Sequence, residues 1–319
     1  MLDISVVICT YNCSNILADC LRNIAQQDMP PELYEIIVID NNSTDNTKEV
    51  IKQIISEYRS HNWHYIFEPH QGLSLARNRG LLEAKGSIIV YVDDDAFVKP
   101  AWLRCLVKPF EEPDVFAVGG RIDLVFPYAP PKWLGDHFRG GLSEYRPMSD
   151  EVYNVTHIFQ LPFGANMAFR KEGLLLVGGF DTELGRCGGQ LLGGEETKLL
   201  AKIFNFGWKI VIQPQAVVEH MVPHKRMEKS YFYKLEKASL SQHLRFIKSL
   251  SFIPKIFFAI YFLVELILDA LRFALKMIAF PKDERRFIMT FKLYRTYYKM
   301  MFTTNCIFNR REDKMEILN

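Results

Sequence analysis

Ile88-Ile89-Val90-Tyr91-Val92 runs straight into Asp93-Asp94-Asp95. An apolar, largely β-branched run bounded by Gly86 predicts a buried central strand of a parallel sheet. Carboxylates at the carboxyl end of such a strand sit where open α/β sheets bind their ligands. Three adjacent acids repel one another unless a cation sits among them. A hard divalent ion such as Mg²⁺ or Mn²⁺, itself holding a diphosphate, is the natural neutraliser. A solvated acidic turn is the plainer alternative, because acids favour turns.

The stretch before it alternates regularly. Residues 4–9 and 35–39 are further buried-strand patterns, and 65–68 is a shorter one. Residues 16–26, 47–58 and 73–84 carry helical spacing, the first stopped by Pro30-Pro31. Strand and helix in strict alternation predict an open, mostly parallel sheet. The residues that end its strands, Thr10, Tyr11, Asp40, Glu68 and Asp93, should then line one rim. No GxGxxG or GxxxxGK[ST] follows the first strand, which argues against the dinucleotide and P-loop versions of this architecture.

Beyond Asp95 the pattern changes. A helix is expected over 102–110, strand on either side of Gly119-Gly120, and a strand-like segment over 161–170. Residues 127–157 show no clear period, and loops of that length are usually functional or mobile. Glu195-Glu196 opens a helix running to about residue 206, and acids in a first turn are favoured by the helix dipole whatever their function. Strands over 209–212 and 216–219 follow, the second leading to His220.

Bulk properties narrow the class. Apolar residues make up 49% and charged residues 24%, an ordinary folded composition. A net charge of +2 names no partner and gives no sign of nucleic acid. Six cysteines show no CxxC pair and no zinc spacing, which suits reduced thiols and a cytoplasmic location, and Met1-Leu2-Asp3 leads into a strand without a signal-peptide pattern.

Seven motifs occur in a fixed order: Val6 to Asn12 (VVICTYN), Ile37 to Asp45 (IVIDNNSTD), Ala76 to Gly80 (ARNRG), Val92 to Ala96 (VDDDA), Gly164 to Arg170 (GANMAFR), Gly178 to Asp181 (GGFD) and Gly193 to Glu196 (GGEE). On these, residues 1–225 resemble a family 2 glycosyltransferase with the GT-A fold, of the type found in bacterial polysaccharide biosynthesis. The resemblance implies transfer of a sugar from a nucleotide-diphosphate donor, a UDP-sugar in the first instance, to a hydroxyl of a saccharide or lipid-linked acceptor. It assigns Thr10, Tyr11, Asn12 and Asp40 to the nucleoside, with Glu68 and Arg77 as further members of that pocket. A surface helix charge is the alternative for Arg77. Asp93 and Asp95 match the family's Asp-x-Asp metal motif, with Asp94 facing ribose or protein. His220 is a further metal ligand or a structural histidine. Inversion needs a base to take the acceptor's proton. Many relatives carry Glu-Asp where this chain has Glu195-Glu196, so Glu196 is the expected base and Glu195 its reserve. Adjacent acids should push one pKa upward. Gly164, Asn166 and Asp181 are expected on the acceptor side. The stretch 185–194 is either a lid or a plain surface loop.

Residues 226–319 read differently. Residues 251–280 are very apolar, yet the uncharged core 256–264 is too short to span a bilayer. Glu265, Asp269, Arg272 and Lys276 form one narrow polar stripe, which predicts an amphipathic helix that lies in a membrane interface or packs in a bundle. Basic and aromatic residues over 282–299 suit an anionic lipid surface, so a peripheral position on the inner face of the plasma membrane is expected. Gln242-His243-Leu244-Arg245-Phe246 is similar to the Gln-x-x-Arg-Trp of processive synthases, but Phe replaces Trp, and coincidence on a helix is the expected reading. Two alternatives stay open. A nucleotidyltransferase would show a Gly-rich basic loop after the first strand. A catalytically silent GT-A-fold scaffold would have lost its acids.

Overall fold

The computed structural model describes residues 3–249, 252–279 and 283–307. The side chains of Gln242 to Phe246, Arg272, Lys276, Arg285 and Arg286 lie outside the described residues, as does Lys282. The chain forms two compact units, one of residues 1–128 and 139–224, the other of 129–138 and 225–319.

The first unit opens with β1 (Ile4–Thr10), α1 (Leu17–Ala25), β2 (Tyr34–Asp40), α2 (Thr47–Glu57), β3 (Asn62–Phe67), α3 (Leu73–Glu83) and β4 (Ile88–Asp93). The four strands are parallel, in spatial order β3-β2-β1-β4. Alternate residues of each strand face opposite sides. Val6, Ile8, Val38 and Val90 pack with Leu17, Leu21 and Ile51 of α1 and α2, whereas Val7, Ile37 and Ile89 pack with Ala76 of α3. Helix α3 lies so close to β1 that a Cβ on Gly80 would stand 2.3 Å from Val7 Cγ1. Only glycine fits that approach.

The chain continues with β5 (Ala96–Val98), α4 (Trp102–Val107), β6 (Val115–Val125), α5 (Asp136–Arg139, whose first three residues belong to the second unit), β7 (Tyr153–Asn154), β8 (Asn166–Arg170), α6 (Lys171–Leu176), α7 (Glu195–Asn205) and β9 (Lys209–Met221). β8 runs antiparallel between β4 and β6; β9 follows, parallel to β6, and carries β5 and β7 as antiparallel partners. Three expectations need correction. β3 begins three residues before the expected strand at 65, because its polar start offers no apolar run. The two expected strands on either side of Gly119-Gly120 are one strand with a register shift between Gly120 and Arg121, and the two expected over 209–219 are likewise one. β5 was not foreseen, since three residues show no period. It matters to the site, because its register pairs Ala96 with His220.

The second unit contains α8 (Lys229–Ser249), α9 (Phe252–Ala279) and α10 (Asp283–Ile307). Trp133 and Phe138, from the aperiodic stretch, pack on Phe232 of α8 and Phe287 of α10, with ring centroids 4.7 Å apart for Trp133–Phe287 and 4.9 Å for Phe138–Phe232. These ring contacts with α8 and α10 explain why 129–138 belongs to this unit. Among the described residues, no helix is long and apolar enough to cross a membrane.

Candidate active site

The register brings the strand-ending residues onto one rim. Thr10 pairs with Asp40, Cys9 with Asp93, and Asp40 with Phe67. Tyr11, just past β1, is 43% exposed. Asn12 adopts φ +51°, and its Oδ1 accepts from Thr44 N at 2.8 Å, which ties the β1 loop to the β2 loop. Asp40 is buried; Oδ1 accepts from Ser43 N at 2.9 Å and Oδ2 from the Tyr65 hydroxyl at 3.0 Å. Glu68 is also buried and accepts from His70 N at 3.0 Å.

Beside this rim, one ligand atom from each of Asp93, Asp95 and His220 falls within 4.8 Å of the others. His220 is fully buried, and its Nε2 lies 3.1 Å from Asp95 Oδ1. Two carboxylates and an imidazole are a donor set that Mn²⁺ accepts, so these residues fit the divalent ion the motif implies. Asp94 points elsewhere, towards Thr10 and Cys13. Burial and then the Asp95 charge push its carboxyl up to about 7, partly offset by a hydrogen bond with Thr10.

Arg77 is the largest departure from expectation. Its guanidinium is only 3% exposed. Nη1 donates to Glu195 Oε1 at 2.7 Å, and Nη2 donates to Asp93 Oδ1 at 3.3 Å and to the Gly164 carbonyl at 3.4 Å. The Phe180 ring lies 5.4 Å from its carbon. Arg77 is thus not a surface charge, and its hydrogen bonds run to Asp93, Gly164 and Glu195. It is the wall between two acid sites, and three convergent acceptors hold it there. Gly164 must be glycine for this wall to close, because a Cβ there would sit 2.9 Å from Arg77 Nη2 and 3.4 Å from Glu196 Cγ.

On the far side of Arg77 are the first two residues of α7. Glu195 is buried and taken up by Arg77. Glu196 is half-buried, and burial followed by the Glu195 charge pushes its carboxyl up to about 7 against the pull of Arg77. α7 is pinned by an ion pair from Lys198 to Asp181, whose other oxygen accepts from Glu183 N at 2.9 Å. Lys198 holds the Asp181 carboxyl below its usual range.

Asn166, expected on the acceptor side, lies inside the fold. Its side chain is fully buried, accepting from Trp102 Nε1 at 3.0 Å and donating to the carbonyls of Arg121 and Ala216 at 2.9 and 2.8 Å. These bonds join α4, β6 and β9. Asn78 was missed. It exchanges two 2.8 Å bonds with the backbone of Phe180, the residue beneath Arg77. Its place in the ARNRG motif was the available signal. The stretch 185–194 is anchored at its start by Ser74 Oγ donating to Leu184 O at 2.7 Å and Leu73 N to Arg186 O at 2.9 Å.

Known proteins resemble this chain in sequence and in fold. A glucosyl-dolichyl phosphate glucuronosyltransferase of Haloferax volcanii is 27% identical over 238 residues, covering 70% of this chain and 71% of its own. The succinoglycan biosynthesis protein ExoM of Rhizobium meliloti is 26% identical over 246 residues, covering 76% and 75%. Among solved structures, the mannosyltransferase PcManGT of Pyrobaculum calidifontis, in complex with GDP-Man and Mn²⁺, superposes with a TM-score of 0.61 at 19% identity, covering 97% of this chain and 88% of that one. That likeness establishes the fold as GT-A, with a helical C-terminal region. The model of the glycosyl transferase family 2 matches residues 5–175, more than half of the chain. This protein belongs to glycosyl transferase family 2.

Proposed function

We propose that this chain is a metal-dependent, inverting glycosyltransferase. It moves a sugar from a nucleotide-diphosphate donor, a UDP-sugar in the first instance, to a hydroxyl of a saccharide or lipid-linked saccharide. The observation that carries this reading is the pair of acid sites divided by Arg77. Asp93, Asp95 and His220 gather ligand atoms on one side, and Glu196 stands on the other with its carboxyl pushed up to about 7.

Thr10, Tyr11, Asn12 and Asp40 hold the nucleoside in this reading, with Tyr11 stacking on the base and Glu68 bordering the pocket. Asp93, Asp95 and His220 would hold Mn²⁺ or Mg²⁺, which when bound neutralises the charge on the departing diphosphate. Glu196 takes the proton of the acceptor hydroxyl. A base whose pKa lies near the working pH is both ionised and basic enough to do so. Glu195 is the counter-ion of Arg77 here, which leaves it less suited as a reserve base. Gly164 and Asp181 act indirectly, the first by admitting Arg77 and the second by holding α7. The activities of the relatives, glucuronosyl transfer to a glucosyl-dolichyl phosphate and succinoglycan biosynthesis, support a lipid-linked or growing saccharide as acceptor. A cytoplasmic site of action, where nucleotide-sugar donors are found, is part of this reading.

Calorimetric titration of a panel of UDP-, GDP- and dTDP-sugars, with and without Mn²⁺ and beside Asp95→Ala, tests the reading. One donor should bind with Mn²⁺ and fail to bind the variant. A folded wild-type protein that binds no donor would shift the reading to a silent scaffold.

A further inference from the structure

The amphipathic helix α9 is turned opposite to what a water-soluble bundle requires. The described part of its polar stripe, Glu265 and Asp269, meets α10. Asp269 Oδ2 accepts from the Thr296 hydroxyl of α10 at 3.2 Å. Phe262 beside it is 4% exposed, beneath Lys299 of α10 at 5.8 Å. Glu265 also acts electrostatically on Lys299. The apolar stripe is left outside. Phe257, Tyr261, Val264, Leu268 and Leu271 follow one another at spacings of four and three, the repeat of a single helix face, and are between 45% and 69% exposed. Ile260 and Ile267 widen the same face. A soluble monomer rarely shows a contiguous apolar patch of this kind.

Charge identifies the occupant. Residues 225–319 carry 19 Lys and Arg against 9 Asp and Glu, a net +10, whereas residues 1–224 carry 20 against 28, a net −8. The balanced total conceals this division. Lys234 and Lys237 of α8 and Lys292 and Arg295 of α10 are exposed. A partner must therefore be apolar where α9 meets it and anionic around that face. A second copy would bring one +10 region against another. A bilayer with anionic headgroups meets both demands.

We infer that α9 docks this chain on an anionic lipid surface, lying in the headgroup region with its outward apolar stripe inserted. The described part of α9 does not span, because no helix there is apolar enough over a sufficient length.

Flotation of the full chain with vesicles tests this without donor or acceptor, so its outcome is separate from that of the transfer reaction. The vesicles are phosphatidylcholine alone or phosphatidylcholine with phosphatidylglycerol. The wild type should float with the phosphatidylglycerol vesicles, bind the neutral ones less, and lose binding as NaCl is raised. Val264→Glu combined with Leu268→Glu should weaken partitioning about tenfold or more, since two carboxylates replace inserted apolar groups. Leu176→Glu, on an exposed position of α6, should float like the wild type. If circular dichroism shows the double Glu variant to be misfolded, Val264→Ser with Leu268→Ser supplies the same comparison. Wild type that binds no vesicle, or a folded stripe variant that binds as well as wild type, overturns the inference. So does light scattering that shows a dimer which the stripe variant dissociates, because a second copy would then cover the face.

Discussion

Arg77→Met removes the guanidinium and keeps most of the aliphatic volume. The consequence follows from the exposure of its two carboxylate partners. The Asp93 side chain is 31% exposed, so water compensates much of that loss, but the Glu195 side chain is 5% exposed. Glu195 Oε2 already lacks a hydrogen-bond partner, and the substitution takes the partner of Oε1 as well. Breaking a buried pair on one side costs about 3–5 kcal/mol. For a unit of this size that lowers Tm by about 6–20 °C. Differential scanning calorimetry of the wild type, Arg77→Met, Glu195→Gln and the double variant forms a cycle. The double variant should recover most of the lost stability, because a neutral amide no longer needs the cation, whereas Arg77→Lys should fall between wild type and Arg77→Met for want of the second donor arm. Arg77→Met within about 2 °C of wild type, or a double variant no more stable than Arg77→Met, would refute the claim that this pair is the wall of the site.

Four further outcomes are expected. Glu196→Gln should lower kcat about 10²–10⁴-fold with donor affinity from calorimetry unchanged, as loss of a general base requires. Because burial and Glu195 raise the Glu196 pKa, the proton leaves only as pH passes about 7; kcat/KM of the wild type should climb through that value to a plateau, and a profile flat from pH 5 to 8 would remove Glu196 as base. His220→Ala should weaken Mn²⁺ binding at least about tenfold in a metal titration, while an unchanged affinity would assign His220 a purely structural place on β9. Gly80→Ala should lower stability to urea by about 1–3 kcal/mol, since its new methyl meets Val7 Cγ1 at 2.3 Å and strand β1 has nowhere to move.

The parallel half of the sheet was legible because the buried strands β1, β2 and β4 show apolar runs broken only by Ser5 and Glu35 near their starts, and a polar or acidic residue ends each one. The rim residues were legible for the same reason, since a strand's end is visible in the sequence and parallel neighbours end together. The burial of Arg77 also left a trace. It falls on the helical face of Ala76, Gly80 and Leu81, whereas Arg79 falls off it. The trace shows that Arg77 points inward but names no partner, because Glu195 is 118 residues away. Asn166 shows the opposite failure. A motif made it look functional, and only three bonds to Trp102, Arg121 and Ala216 reveal that it joins elements of the fold.

By itself the sequence determined the local elements, the order of the motifs, the acids available for chemistry and the amphipathic character of α9, all of which depend on neighbours within a few residues. Tertiary structure decided which groups meet. The three-residue β5 set His220 beside Asp95, the approach of α3 to β1 carried Arg77 between Asp93 and Glu195, and α10 took up Asp269 of α9. Such meetings depend on register and on packing between segments far apart in the chain, and no periodicity within one segment encodes them.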